Sequence, residues 1–128
     1  MTLSASTAAG FDLQSEPRAR LVRGRCWGFW DRATAERFQR ELLESLRKVE
    51  RPGRLLLDMT ELLPQPDDTQ ATLRQLMVAS AAVGLGQAAL VTTNAITRLQ
   101  LARLVREARV PQWALVADTA QAQQKLGI

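Results

Sequence analysis

The chain has 128 residues, 46% of them hydrophobic and 23% charged, with a net charge of +4, one cysteine and no histidine. That is the size of one ordinary domain, and its apolar runs fall far short of the roughly 20 residues a membrane span needs. The lack of histidine excludes Ser-His and Cys-His nucleophile pairs and His-based zinc sites, and the lone Cys26 makes neither an intrachain disulfide nor a zinc site by itself.

Met1 to Ala9 are small and polar, so residues 1–9 are expected to be a flexible N-terminus without secretory or transit signal, ahead of one domain over residues 10–128. With a single cysteine suited to a reducing compartment, the expected location is cytoplasmic. Phe11 to Ser15 and Arg20 to Trp27 read as two strands of a hairpin, turned at Glu16-Pro17-Arg18. In the second strand Val22, Gly24, Cys26 and Gly28 share a face of small residues, and Leu21, Arg23, Arg25 and Trp27 share a partly solvated one. Cys26 is read there as a packing residue.

Asp31 or Thr34 caps a helix to about Val49, with Phe38, Leu42, Leu46 and Val49 on one stripe, and Pro52-Gly53 stops it. The strand Arg54 to Met59 leads into Leu63-Pro64-Gln65-Pro66. Asp67, Asp68 or Thr69 then caps a second helix with Leu73, Leu76, Met77 and Ala81 inward. Gly84 and Gly86 turn the chain into the strand Ala88 to Thr92. A third helix, Ala95 to Ala108, has a wide apolar sector: Leu99, Ala102 and Val105 on one line, Leu101, Leu104 and Ala108 on the next. Such width means burial or a flank left for a partner, and homodimerisation through Leu101, Leu104 and Ala108 is one expectation. Trp113 to Ala117 is the last strand, followed by a helix capped by Asp118 or Thr119 with Ala122 and Leu126 inward.

Short, continuously apolar strands alternating with helices predict an α/β fold: a mixed, mostly parallel five-stranded sheet with four helices in the order ββαβαβαβα. In such sheets binding groups gather past the C-terminal ends of the strands. The arginines are interleaved with Glu36, Glu41, Glu44, Glu50 and Glu107, which reads as solvated helix surface, so no nucleic-acid partner is expected.

The element order, Gly28-Phe29-Trp30-Asp31 before the first helix, Leu55-Leu56-Leu57-Asp58-Met59-Thr60, and Val116-Ala117-Asp118-Thr119-Ala120-Gln121-Ala122 with Leu126 near the end resemble the STAS fold, most closely its SpoIIAA-like branch, over about residues 10–128. The resemblance implies regulation through protein contact. Members that antagonise anti-sigma factors accept a phosphate in an Asp-Ser-Ser/Thr-Gly-Leu motif at the start of the second helix, a place held here by Pro66-Asp67-Asp68-Thr69-Gln70-Ala71, without the Gly-Leu. It implies either that Thr69 is the acceptor, beside Asp68, or that Asp67 matches the family's Asp and Asp68 supplies a fixed negative charge. Ordinary helix capping explains the same residues.

Asp58 at a strand end also resembles the phosphoacceptor of receiver domains, but the acidic pair and the lysine those domains require are replaced by Trp30-Asp31 and Asp118-Thr119. Asp58, Asp118 and Asp67-Asp68 are carboxylates of a kind that bind hard cations, and separate caps explain them as well. No resident metal or cofactor is expected, and an enzyme is the least expected class. Gly84-Leu85-Gly86 precedes a strand and opens no helix, so it is not a phosphate loop.

The expected function is therefore a non-catalytic regulatory or adaptor domain that docks a protein partner at Asp58, Thr60, Asp67, Asp68 and Thr69, with a phosphate on Thr69 as its switch. The alternative rests on the resemblance of the same branch to the lipid-exchange fold of Sec14-type proteins. It expects a small apolar ligand or a peripheral lipid contact, in a pocket walled by Trp27, Phe29, Trp30, Phe38, Met77 and Trp113.

Overall fold

The computed structural model describes residues 8–128, so the expected flexibility of Met1 to Thr7 lies outside the described residues. The elements are β1 (Gly10–Glu16), a 3-10 turn (Pro17–Ala19), β2 (Leu21–Gly28), α1 (Arg32–Arg47), β3 (Gly53–Leu62), α2 (Asp67–Ser80) with a 3-10 turn (Ala81–Val83), β4 (Leu85–Val91), α3 (Ala95–Ala108), β5 (Trp113–Val116) and α4 (Thr119–Leu126). The strands lie in sequence order, β1 antiparallel to β2 and all later pairs parallel. Among the described residues no helix is long and apolar enough to cross a membrane.

A strand order that steps one way, with right-handed crossovers, delivers every connecting helix to the same face. The larger core sits on that face. Val22 and Cys26 of β2, Leu55 and Leu57 of β3, Ala88 and Leu90 of β4 and Trp113 of β5 meet Phe38, Leu42 and Leu46 of α1, Leu73, Leu76 and Met77 of α2, and Leu101 and Leu104 of α3. Each of the Val, Leu, Phe and Met side chains among them contributes about 1.5–3 kcal/mol on burial. A second, smaller cluster on the opposite face packs Ala122 and Leu126 of α4 over Leu21, Leu56, Ala89 and Val91. The outer part of that face carries the half-buried Arg23, Trp27 and Asp58 and the exposed Asp12, Gln14 and Arg25. It is the solvated arginine face of β2, widened by both neighbouring strands.

The small-residue face of β2 is filled from within the sheet at Gly24. A Cβ on Gly24 would stand 2.6 Å from Leu13 Cδ2 and 2.7 Å from Leu57 Cδ2, so leucines of the two flanking strands fill the space over it. Gly28 is required for two reasons: its φ is +84°, and a Cβ there would press 2.6 Å from the Ala9 Cα.

Between β2 and α1, Trp30 enters the core with no exposed surface. Its ring centroid lies 5.0 Å from that of Phe38 and 5.9 Å from that of Phe11, and Phe11 and Phe38 meet edge-on at 5.1 Å. The indole Nε1–H is shared between the carbonyls of Trp27, at 3.0 Å, and Gly10, at 3.2 Å. A buried aromatic thereby ties the hairpin to α1 without leaving its polar atom unpaired.

Three helices carry side-chain caps. Of the two candidates for α1, Asp31 is the cap, accepting from Thr34 N at 2.8 Å; Asn94 caps α3 and Asp118 caps α4, accepting from Gln121 N at 2.8 Å. The Thr34 hydrogen bonds, the backbone one first, hold the exposed Asp31 carboxyl below its ordinary value. A carboxylate with a depressed folded-state pKa stabilises above its unfolded pKa and loses that contribution as pH falls through the folded value. Asp31→Ala is therefore expected to be destabilising at neutral pH and progressively less so in acid. Urea midpoints of the two proteins at about pH 7 and about pH 3 check this; a gap that fails to narrow contradicts it.

Candidate functional site

The C-terminal ends of β2, β3 and β4, with the first turns of α2 and α3, form the end of the molecule where the sequence places its functional residues. Asp58 and Thr60 lie there, engaged with each other. β2 and β3 lose register between Arg25, opposite Asp58, and Trp27, opposite Glu61, so β3 carries one extra residue. The Asp58 carboxylate accepts from the Thr60 backbone N at 3.0 Å and from its hydroxyl at 2.7 Å, closing the bulge from inside. β3 reaches Leu62 rather than stopping at Met59 because its pairing with β2 resumes beyond the bulge, Trp27 opposite Glu61 and Gly28 opposite Leu62. Beside the bulge Arg25 bonds Glu61 at 2.6 Å and stands 4.4 Å from the Trp27 ring centroid. The Glu61 bond, foremost, holds its pKa above the ordinary value.

The five residues expected to make one docking surface do not converge. Leu57 and Met59 point into the larger core and Leu56 into the smaller one, so Asp58 faces away from the layer that holds α2. Asp67 and Asp68 are exposed in the first turn of α2, on the other side of the sheet. The cap position of α2 belongs to Pro66, with no side-chain cap, which corrects the expectation that Asp67, Asp68 or Thr69 fills it. The Asp68 carboxylate accepts from the Thr69 N at 2.8 Å, and both acids suit the positive end of the helix dipole.

Thr69 is the larger correction. It has no exposed surface, and its hydroxyl has no hydrogen-bond partner. A hydroxyl enclosed in this way is not presented to a kinase, so the phosphate switch does not fit the folded chain. An unpaired buried hydroxyl carries a desolvation penalty of about 1–3 kcal/mol, which the isosteric Thr69→Val change removes. Thr69→Val is expected to leave stability unchanged or raise it by up to about 1 kcal/mol, read as the urea midpoint. A loss above about 1 kcal/mol would show a bond to this hydroxyl.

The six aromatic and methionine residues expected to wall a pocket are likewise dispersed. Trp30, Phe38, Met77 and Trp113 are packed in the larger core, while Trp27 is half-buried on the solvated sheet face and Phe29 is exposed. Trp113 Nε1 donates to the Ser80 hydroxyl at 3.3 Å inside that core. Leu101 and Leu104 are buried against the sheet, with Ala108 half-buried beside them, so the dimer face expected there is interior. Cys26 is fully buried, and burial, foremost, pushes its thiol pKa far up, in keeping with a packing role.

Two features of this end escape a reading of the sequence. One is Gln65, buried between two prolines. Its side-chain carbonyl accepts from Trp30 N at 2.9 Å, and its amide donates to Gly28 O at 2.9 Å and Leu63 O at 2.6 Å. Its backbone N donates to Gln100 Oε1 at 2.8 Å, and its carbonyl accepts from Gln70 Nε2 at 2.9 Å. Gln65 thus fastens the β3–α2 loop to the β2–α1 link and to α3.

The other feature is an apolar rim. Of the six large hydrophobic residues exposed among the described residues, four belong to this end: Phe29 at 58%, Leu63 at 49%, Ile96 at 59% and Leu99 at 71%. Leu63 N bonds Gly28 O at 3.2 Å, setting Leu63 beside the start of the Phe29 link. The Thr97 hydroxyl bonds Leu62 O at 2.9 Å, drawing the first turn of α3, with Ile96, to the same place. Their exposure has no internal packing reason, and Asp67 and Asp68 stand on the neighbouring helix.

No family model matches the chain, and no curated protein matches it. Among solved structures, a protein of Shewanella loihica described as uncharacterized, of the DUF3478 family and with a SpoIIAA-like fold, superposes with a TM-score of 0.68 at 16% identity, over 98% of each chain. The similarity shows the fold: five strands and four helices in the SpoIIAA-like arrangement.

Proposed function

We propose, from the premise of a SpoIIAA-like fold, that this chain is a non-catalytic adaptor that docks a protein partner on the rim formed by Phe29, Leu63, Ile96 and Leu99. The observation that carries the reading is the gathering of exposed large hydrophobics at one end of the sheet. Apolar side chains held in water by a rigid frame are characteristic of contact surfaces, and aromatic anchors such as Phe29 dominate their energetics. Asp67 and Asp68 give the rim an acidic margin, which favours an amphipathic partner segment carrying basic residues beside its apolar anchors. Gln65 supports the rim by fixing three of its connections at once, so the surface is formed before the partner arrives.

The test is affinity capture from native cell extract with wild type, a Phe29→Asp/Leu99→Asp variant and an Arg40→Glu variant, the last lying on α1 away from the rim. A stoichiometric protein retained by wild type and Arg40→Glu and lost by the rim variant supports the reading. Equal retention by all three overturns it. Intact-mass analysis of the same eluates tests the apolar-ligand alternative, which expects a co-purifying small molecule.

A further inference from the structure

The opposite end of the sheet, where the parallel strands begin, holds a cleft of ≈ 630 Å³ formed by the 3-10 turn after β1 and the starts of β3 and β4. We infer that this cleft is a binding site for a small, multiply charged phosphoryl anion, independent of the rim. Three arginines, Arg18, Arg20 and Arg54, line it together with Gly53 and Gly86, and no acidic residue does. Protein clefts of about 300–1,000 Å³ suit small ligands, and this one exceeds the size of a single inorganic phosphate.

The cations in it are incompletely neutralised. Arg20 meets Glu50 at 3.7 Å, with both side chains largely in water, so that pair is weak and screened. Arg18 is exposed and has no ion-pair partner among the described residues. Arg54 is half-buried and bonded to backbone carbonyls alone: Nη1 donates to Leu126 O at 3.0 Å and Nη2 to Ala19 O at 2.5 Å. Those carbonyls fix the guanidinium plane without cancelling its charge, and its Nε–H has no acceptor among the described residues. With both Nη groups held by carbonyls, Arg54 keeps its charge and its Nε–H for a phosphoryl oxygen, and the exposed Arg18 and Arg20 supply the paired N–H bonds that such oxygens accept.

Gly86 keeps the wall beside Pro52 open, whereas a Cβ on Gly53 would turn inward, 3.2 Å from Val49 Cγ2. A Cβ on Gly86 would stand 2.8 Å from Pro52 Cβ, so any larger residue there would crowd the wall. Recognition would therefore come from the arginines around the edge and from close approach to bare backbone. The volume of ≈ 630 Å³, with three arginines lining it, favours two or more phosphoryl groups, as in a diphosphate or a nucleotide, over a single one.

The test is a titration of the full chain with inorganic pyrophosphate and, separately, with ATP, followed by amide NMR at about 0.1 M salt. Saturable binding is expected, with shifts confined to residues 18–20, 53–54 and 86–87. Arg18→Glu is expected to weaken it at least tenfold. Arg40→Glu removes the same charge from α1 and is expected to leave binding within twofold. Tighter binding of ATP than of pyrophosphate would show that the nucleoside is held too, and the reverse that the anion alone is recognised. The inference is overturned by no saturable binding of either probe, by equal weakening in the two variants, or by shifts centred elsewhere.

Discussion

Trp30→Ala is expected to lower the stability of the chain by about 3–5 kcal/mol, the range for removing a large aromatic from a packed core. The indole is wholly buried against Phe11 and Phe38, so the cavity lies at the junction of the hairpin with α1. Its loss also strips the Nε1–H donor from the carbonyls of Gly10 and Trp27. Since domains of this size are stable by only about 5–15 kcal/mol, the variant should be marginal near physiological temperature. Trp30→Phe keeps most of the apolar volume but not the donor, and its loss should be smaller, about 1–3 kcal/mol. Urea unfolding of the three proteins measures both steps. A loss below about 1 kcal/mol for the alanine variant would mean that the junction is not structurally critical.

Phe29→Asp/Leu99→Asp is expected to weaken partner binding at least about 100-fold, equivalent to about 2.7 kcal/mol, because each change puts a carboxylate where an apolar anchor must be desolvated. The same variant should keep its folding stability within about 0.5–1 kcal/mol, since both side chains are mostly in water in the free chain. Surface plasmon resonance with the captured partner and parallel urea midpoints separate the two effects. Unchanged affinity, or a large stability loss that accounts for the weakening, contradicts the assignment of Phe29 and Leu99 as anchors.

The fold was legible because its signals are periodic and local. Phe38, Leu42 and Leu46 recur at helical spacing, Leu55, Leu56 and Leu57 form a run buried from both sides, and Asp31 and Asp118 occupy positions where a carboxylate meets free amides. The site was less legible because it depends on pairing across the chain. Asp58 and Thr60 stand at a strand end, as functional residues do, yet the shift of β3 against β2 turns them into the internal brace of a bulge. No local pattern marks a bulge that arises from register.

The start of α2 departs from its local pattern for a related reason. Asp67-Asp68-Thr69 contains three good capping residues, but Pro66, with its fixed backbone angle, already occupies the cap, which makes Thr69 the third helical residue and puts it on the buried face. Gln65 sits in a stretch that reads as loop between two prolines, and its partners lie 35 and 37 residues away for the bonds to Trp30 and Gly28. The wide apolar sector of α3 resolves only once the sheet is present: Leu101 and Leu104 turn inward and Leu99 outward. The rim itself draws its four residues from three separate segments, so no one segment displays it.

The most direct test of the docking rim is an amide NMR footprint of the wild-type chain with its captured partner. The expected result is a perturbation centred on Phe29, Leu63, Ile96 and Leu99, extending to Asp67 and Asp68 and leaving α1 and the N-terminal ends of the strands unaffected. A footprint on the solvated face of Arg23, Arg25 and Trp27, or on the Arg18–Arg54 cleft, with the rim unchanged, would contradict it.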